Sequence, residues 1–368
     1  MSLGVFRSAK AAATDFYAKV VEPNLGISLL LTSQCLNSVM ILTCKLLETD
    51  KDWDEPITPI QILFARMFIT YVCCVLYMVI TRSVEDAPFG PKPLRPILVA
   101  RGVLGFLGVF GLYFSLQYLS LSDAVAITFL IPLVTPFFAW IALGERYSVL
   151  EAVCAVLSFG GILLIAKPDF IFGSASKLET GDDAAESASS ELRVLATAVA
   201  LVGVCGASSV YVVLRKIGKA AHPLISVSYF ALLTCIICFL STILIPGLSF
   251  QAPKTFKQWF LFMLIGLSGF FMQFCLAAGL QREKAGRSAL LIYSNMVFAL
   301  FWDFVIWNHI PGLLSFLGTA IIVINAYLII KLKPSTPESL GGDATKDGYK
   351  KPSDIDLEDF VFSDDESL

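Results

Sequence analysis

The sequence is poor in charge and almost free of histidine. Asp, Glu, Lys and Arg make up 15% of its 368 residues, only two residues are His, and 56% are hydrophobic. Soluble domains average about a quarter charged and nearer half apolar residues. This composition disfavours a soluble globule and makes lipid the expected solvent for most of the chain.

The sequence also lacks the local patterns of common catalytic and cofactor sites. It contains no Walker phosphate loop, dinucleotide glycine fingerprint, zinc motif or recognisable catalytic triad. Cys235 and Cys238 have metal-ligand spacing, but they lie in an apolar run without a nearby histidine, where cysteine acts as a small packing residue. We expect no enzyme, no cofactor, no metal site and no nucleic-acid partner.

Long apolar runs, by contrast, are abundant. A helix needs about 20 residues to cross the hydrocarbon layer, and lipid satisfies no backbone polar groups, so spans must be helices or closed barrels. None of these runs alternates as a barrel strand does, and they predict an all-α integral membrane protein with ten transmembrane helices. The runs are 25–47, 58–80, 97–118, 124–143, 149–166, 194–214, 223–245, 256–280, 288–307 and 312–330.

The distribution of Lys and Arg predicts the orientation of these spans. With both termini in the cytoplasm, cytoplasmic segments hold an almost threefold excess of Lys and Arg, Arg101 being counted on that side. Cytoplasmic loops retain these residues preferentially. Both termini are therefore expected inside, and the membrane is either an endomembrane or the plasma membrane.

Composition divides the chain into five segments. Residues 25–166 and 194–332 each hold five predicted spans, and residues 167–193, rich in Ser, Ala, Gly, Asp and Glu, form a flexible linker. Residues 1–24 predict a cytoplasmic amphipathic helix at the membrane surface. Residues 333–368 are acidic and poor in apolar residues, which predicts a disordered cytoplasmic tail.

The two five-span halves are related to each other. A shift of about 160 residues places Pro59 on Pro223 and Trp140 on Trp302. Because five is odd, the second half enters the membrane from the opposite face, which gives two inverted five-helix repeats. Alternating-access carriers are commonly built in this way. The competing interpretation is a duplication that only made a stable bundle.

Arg66 is the most unusual residue of the predicted spans. It lies about seven residues into the second span, where a charge costs on the order of 2.5 kcal/mol or more and must face the protein interior. Its forked donors suit an anionic solute, but a buried salt bridge that fixes helix packing explains it equally well. Asp303, at a similar predicted depth in the ninth span, is the natural partner.

Uncharged polar residues within the spans complete the candidate substrate-binding set. Some of them are expected to bond between helices and others to line a polar cavity. These residues are Gln34, Asn37, Tyr113, Gln117, Gln273, Tyr293 and Asn295.

Pro132 and Pro136 lie near the centre of the fourth span. Each ring removes a backbone donor, so the helix should bend there. A bent helix often supplies backbone groups to a transported solute, although packing alone also explains a kink. The corresponding positions of the ninth span are Ser294 and Phe298, so no second kink is expected.

Four glycines, Gly102, Gly105, Gly108 and Gly111, recur every three residues along the third span. This stripe of small residues predicts a close approach of helices. A smooth cavity wall is the functional alternative.

Residues 123–146, with their mid-span prolines and terminal Gly-Glu-Arg, resemble the EamA-type drug/metabolite transporter superfamily. The glycine pair at 160–161 and Arg66 strengthen the resemblance, which covers roughly residues 25–332. The second half is less similar, because Trp-Asn-His at 307–309 replaces Gly-Glu-Arg. Within the superfamily the chain is most similar to the fungal and animal solute carriers of family thirty-five, subgroup G.

This resemblance implies ten helices in two inverted repeats around a central cavity, with helices five and ten at the periphery. Relatives carry amino acids, nucleotide sugars, organic anions or drugs, so the resemblance narrows the mechanism more than the substrate. Glu145 matches a family position at a helix end. We interpret it as structural, either paired with Arg146 or capping a neighbouring helix.

Together these observations predict a secondary carrier that moves a small polar, anionic metabolite by alternating access, with Arg66 as the recognition charge. The competing hypothesis is a non-transporting membrane scaffold or regulator that acts through its cytoplasmic tail. The expected partners are a small-molecule substrate and the lipid bilayer, and a homodimer stays open.

Overall fold

The computed structural model describes residues 24–48, 57–82, 84, 87–116, 118–119, 121–145, 148–166, 190–244, 250–307 and 312–331. The predicted amphipathic N-terminus, most of the linker, the acidic tail, Gln117 and Arg146 lie outside these ranges. For Asp303 the structure describes the α-helical backbone but not the side chain.

Twelve α-helices make up the described ranges, which contain no β-strand. Short 3-10 turns precede the third helix (Lys92–Leu94), follow the seventh (Gly218–Ala220) and separate the tenth from the eleventh (Leu291–Tyr293). The helices are α1 Leu25–Glu48, α2 Pro59–Thr81, α3 Arg95–Leu116, α4 Leu121–Thr128, α5 Ile131–Leu143, α6 Val149–Ala166, α7 Ser190–Ile217, α8 Pro223–Leu244, α9 Phe256–Leu280, α10 Ala285–Leu290, α11 Ser294–Trp307 and α12 Leu313–Lys331.

Local sequence explains where several helices begin and end. Thr58 caps α2 by accepting a hydrogen bond from the backbone of Gln61, and Pro59 occupies the first turn, where no donor is lost. Thr255 and Gln258 form a reciprocal capping box at the start of α9. Gly144 ends α5 with a φ of 65°, a left-handed conformation that glycine adopts without strain.

The outer surface of the bundle is apolar. Eight helical segments are long and apolar enough to cross a membrane, and two shorter apolar helices lie at Val149–Ile165 and Leu313–Leu328. Large side chains on the outside are strongly exposed, as at Ile80 (70%) and Phe316 (70%). Exposed apolar surface of this extent is stable in lipid rather than water, so the chain is an integral, multi-pass membrane protein.

Helices of the first half pack mainly against helices of the second half. The most extensive contacts join α1 to α9, α3 to α7, α6 to α12 and α2 to α8. Further contacts come in matching pairs, α2 with α9 and α8 with α3, then α5 with α7 and α11 with α1. Exchanging α1–α6 for α7–α12 reproduces all of these contacts, which is the pattern of a pseudo-two-fold axis.

The fourth predicted span is interrupted in the way its prolines predict. α4 ends at Thr128 and α5 begins at Ile131, with Pro132 in its first turn and Pro136 inside it. Pro132 is therefore the start of a new helix segment rather than a kink within a continuous one. A proline costs least at this position, because the donor it lacks has no intrahelical partner there.

The expectation that the ninth span has no corresponding kink is wrong. The 3-10 turn Leu291–Tyr293 separates α10 from α11 directly before Ser294, the position that corresponds to Pro132. The two interruptions touch, because the Tyr293 hydroxyl donates a hydrogen bond to the Phe129 carbonyl oxygen at 3.2 Å. The second interruption thus lies beside a hydrogen bond between the two halves, and its own segment contains no proline.

The glycine stripe of α3 lies in close contact with two helices. A methyl group built on Gly111 would lie 2.7 Å from the Gly203 Cα atom of α7, and one on Gly102 would meet Leu233 of α8. One side of the stripe therefore packs on α8 and the other on α7. Close approach, rather than a smooth cavity wall, explains these positions.

Candidate functional site

Arg66 lies in the second turn of α2 and reaches the helices around it. A methyl group on Gly269 of α9 would lie 3.0 Å from the Arg66 Nε atom and 3.1 Å from its Cγ. Tyr113 of α3 and Cys44 of α1 are close enough to interact electrostatically with the guanidinium. Arg66 Nε is buried and has no hydrogen-bond partner in the described part of the chain. The side chain therefore enters the interior where α1, α2, α3 and α9 meet.

Arg101 is a second buried arginine, and the sequence analysis missed it. It is 1% exposed on α3, and its Nη2 atom donates to the Gln273 side-chain oxygen of α9 at 3.1 Å. Its guanidinium carbon lies 4.3 Å from the centre of the Phe230 ring of α8, a cation–π contact. Its Nε and Nη1 atoms are buried without a hydrogen-bond partner.

The sequence placed Arg101 among the charges of a cytoplasmic segment and did not predict its burial. Arg101 is the seventh residue of α3, which begins at Arg95 and continues a 3-10 turn that starts at Lys92. A signal for its burial was present in the sequence, because Gly105 follows one turn later and a methyl group there would lie 2.8 Å from Arg101 Nη1.

The two arginines, which we call the arginine pair, contact the same face of α9. Arg66 packs at Gly269 and Arg101 bonds to Gln273. Positions four residues apart lie on one side of a helix and are separated by about 6 Å along its axis. Neither arginine forms an ion pair with a described carboxylate. The two arginines therefore reach α9 one helical turn apart in the interior of the bundle.

The other predicted residues divide into three groups. Gln34 is buried and Asn37 half-buried on α1, the helix that packs on α9 and α11. Asn295, in the first turn of α11, has a buried Oδ1 atom without a hydrogen-bond partner in the described part of the chain. Pro132 and Tyr293 lie at the two helix interruptions.

The predicted pairing of Arg66 with Asp303 stays a prediction, because the Asp303 side chain is not among those described. Its neighbour Trp302 donates a hydrogen bond from Nε1 to the Ser38 hydroxyl of α1 at 3.1 Å. That bond joins α11 to α1, whereas α2, which carries Arg66, packs mainly on α8 and α9. Gln117 is outside the described ranges.

A different kind of charge cluster lies at one end of the bundle. Glu145 accepts a hydrogen bond from Arg215 Nε at 3.0 Å and another from the backbone N–H of Ala285, the first residue of α10, also at 3.0 Å. Glu151 of α6 accepts two hydrogen bonds from Arg287 of α10, at 3.0 and 3.2 Å. Each pair joins the first half to the second. The expectation that Glu145 caps a neighbouring helix is confirmed.

We call Glu145, Glu151, Arg215 and Arg287 the ion-pair cluster. Glu151 and Arg287 are nearly enclosed, at 8% and 9% exposed. Their charges are satisfied by each other, and Glu151 also accepts from the backbone N–H of Ser148 at 3.4 Å. These carboxylates have protein partners, so the cluster braces the helices, whereas the arginine pair has charge available for a ligand.

Comparison with known proteins places this arrangement in a family. The model of the EamA-like transporter family matches residues 24–167 and again residues 195–331. The chain belongs to the EamA-like transporter family. Each match covers the spans of one half, so each half of this EamA-like transporter carries one copy of the family pattern.

Relatives of this EamA-like transporter are named as transport proteins. A probable transport protein of Saccharomyces cerevisiae is 45% identical over 320 residues, which cover 86% of this chain and 91% of the yeast protein. Solute carrier family 35 member G1 of Homo sapiens is 33% identical over 291 residues, covering 78% and 74% of the two chains. The resemblance to family thirty-five, subgroup G, is thereby confirmed, and the protein is a membrane transporter.

More distant relatives extend the comparison. The pseudopaline exporter CntI of Pseudomonas aeruginosa is 24% identical, with 65% of this chain and 76% of the exporter covered. One solved crystal structure matches with a TM-score of 0.66 at 17% identity, covering 84% of this chain and 97% of the other. This last likeness shows the fold alone.

Proposed function

We propose that this EamA-like transporter is a secondary-active carrier that recognises a small polar anion between its two halves. The observation that carries the proposal is Arg66: among the described residues its buried Nε has no hydrogen-bond partner and its guanidinium forms no ion pair. An uncompensated cation inside the membrane is costly. An anionic solute supplies the missing charge and fits the forked donors of arginine.

Alternating access is the proposed mechanism. The pseudo-two-fold pattern of helix contacts and the two family matches support ten spans arranged as two inverted five-helix repeats, residues 25–166 and 194–332. In such folds, one half rocks against the other around a site near the midplane. The contact between Phe129 and Tyr293, where both interrupted spans meet, supports a site at the boundary between halves.

We propose that both termini face the cytoplasm. The first turn of α1 lies at the end of α9, because a methyl group on Gly26 would touch Glu283 and Arg282. Arg215 and Lys216 end α7 and belong to the same end of the bundle. With Arg101 removed from the count, Lys and Arg still concentrate at this end, and cytoplasmic loops retain such residues.

Ligand-dependent thermal shifts of the purified full-length protein test the anion proposal. The panel comprises organic acids, amino acids, nucleotide sugars, phosphorylated sugars and neutral sugars, each measured with the wild type, Arg66→Met and Arg193→Met. Arg193 is exposed in the first turns of α7 and serves as the matched control. A ligand at 100 times its Kd adds about 2.7 kcal/mol to folded-state stability.

We expect one anionic class to raise the melting temperature of the wild type and of Arg193→Met but not of folded Arg66→Met. The proposal is overturned if neutral sugars alone give the shift, or if Arg66→Met keeps the full shift with anions. Flux of the responding anion in proteoliposomes then separates a carrier from a scaffold. A carrier lacking residues 333–368 keeps its flux, whereas a protein that binds the anion without any flux is not a carrier.

A further inference from the structure

The arginine pair has more positive charge than a solute with one negative group can balance. Arg66 and Arg101 are both inside the bundle, and neither forms an ion pair with a described carboxylate. A monoanion bound at Arg66 leaves Arg101 uncompensated, and an uncompensated buried charge costs several kcal/mol. The charge balance therefore favours a ligand with two negative groups.

The donors of Arg101 are only partly used by the protein. Gln273 accepts from Nη2 at 3.1 Å and the Phe230 ring covers one face of the guanidinium. Nε and Nη1 are buried without a hydrogen-bond partner among the described residues. The Gln273 amide carries no charge, so it holds the guanidinium in place without neutralising it. Arginine presents its donors in a fixed geometry, and the two unused donors of Arg101 suit anionic oxygens.

The positions on α9 that the two arginines contact favour one solute rather than two. Gly269 and Gln273, the contact points on α9, are separated by about 6 Å, the rise of one helical turn, and share a face. Two monoanions at this spacing would repel each other in a medium of low dielectric constant. A single molecule that carries both charges avoids the entropy cost of binding a second molecule.

We infer that Arg66 and Arg101 together bind the two anionic groups of one solute, either a dicarboxylate or a bisphosphate. This inference rests on the proposed anion carrier and names its substrate class. Arg66 is half-buried and contacts the first group. Arg101 is 1% exposed, so the second group reaches it only when α3 and α8 separate, which couples full binding to a conformational change.

The test compares solutes that differ in the number and spacing of their charges. Binding of acetate, malonate, succinate, glutarate and adipate is measured by calorimetry with the full-length wild type, Arg66→Met, Arg101→Met, the double variant and the Arg193→Met control. Glycerol phosphate and fructose bisphosphate form the phosphate arm. The two arms distinguish carboxylate from phosphate as the anionic group.

We expect affinity to peak at a diacid longer than malonate or at the bisphosphate, and to fall at least tenfold in either single arginine variant. The double variant should lose little more than each single variant, because both arginines act on one ligand. Arg193→Met should match the wild type. Flux in proteoliposomes should follow the same ranking of solutes.

Two outcomes would overturn the inference. If Arg101→Met leaves diacid affinity unchanged while Arg66→Met abolishes anion binding, the anion carrier stands and the two-point site falls. If monoanions bind as tightly as diacids in every variant, the inference falls in the same way. Absence of anion binding to the folded wild type removes the proposed function itself, so the two failures are distinguishable.

Discussion

The ion-pair cluster and the arginine pair show two uses of buried arginine in one bundle. Arg287 is 9% exposed and bonds twice to Glu151, whereas Arg101 is 1% exposed and meets an amide and an aromatic ring. The cost of burying the first charge is offset within the protein. The second charge meets only uncharged groups, an amide and an aromatic ring, so it has no counter-charge among the described residues.

Breaking a satisfied pair should have the largest effect. Glu151→Ala leaves Arg287 buried without a counter-charge, and losing one partner of a buried pair costs about 3–5 kcal/mol. We expect a large fall in the melting temperature of the purified protein, measured by loss of its helical signal on heating.

Arg101→Met is the matched control for that variant. Because this change removes a charge that has no counter-charge, the melting temperature should stay the same or rise, while transport falls. The comparison fails if Arg101→Met destabilises the protein as much as Glu151→Ala, since Arg101 would then brace the helices too.

The close contact between α3, which carries Arg101, and α7 can be disturbed without altering any charge. Gly111→Ala puts a methyl group 2.7 Å from the Gly203 Cα atom, so α3 must move away from α7, at a cost of about 1–3 kcal/mol. Gly160→Ala is the control, because a methyl group there meets nothing within 4 Å. We expect a lower melting temperature for the first variant only. Equal melting temperatures would show that the contact between α3 and α7 tolerates a methyl group.

Removing a neutral hydrogen bond between the halves should lower the free energy of unfolding less than Glu151→Ala or Gly111→Ala does. Tyr293→Phe removes the bond to the Phe129 carbonyl oxygen, and such bonds within membranes average about 0.6 kcal/mol, with a maximum near 1.7. Tyr327→Phe, at an exposed position of α12, is the control. The same small loss of unfolding free energy in both variants would mean that the Tyr293 bond contributes nothing specific.

The smallest expected effect on stability is that of protonating His222, which lies just before α8. Burial first, and Arg282 second, lower the pKa of His222 from its ordinary value of 6.5, and its Nδ1 atom accepts a hydrogen bond from the N–H of Leu224 at 3.3 Å. The folded state thus prefers the neutral ring. The resulting stability is complete above the unfolded pKa and is lost as the pH falls through the lowered folded pKa.

We therefore expect the melting temperature of the wild type to fall more steeply than that of His222→Gln when the pH is lowered from 7.5 to 5. Parallel curves would show that His222 does not contribute to the pH dependence.

Hydrophobic length and proline placement predicted most of the fold, because both act locally. The predicted runs overlap described helices, of which eight segments are long and apolar enough to cross a membrane and two are shorter. The interruption before Pro132 follows from the missing donor of the ring. The interruption at Leu291–Tyr293 contains no proline, and its hydrogen bond across the halves, from Tyr293 to Phe129, is not visible in the local sequence.

The candidate site was predicted only where a charge lay deep in an apolar run. Arg66 met this condition, but Arg101 did not, because it is close to the helix start and to the basic residues Lys92 and Arg95. Its burial depends on α8 and α9 packing over it, which one-dimensional hydropathy does not contain. The sequence predicted Gln273 as a candidate binding residue but did not predict its hydrogen bond with Arg101.

The pairing of helices across the halves also orders the events of synthesis. α1 ends at Glu48, and its main partner α9 begins only at Phe256. At about 5–20 residues per second, the ribosome needs roughly 10 to 40 s to make the intervening chain. During this time Gln34 and other polar groups of α1 face lipid or the insertion machinery. The main packing surface of α1 is therefore covered only after the second half is made.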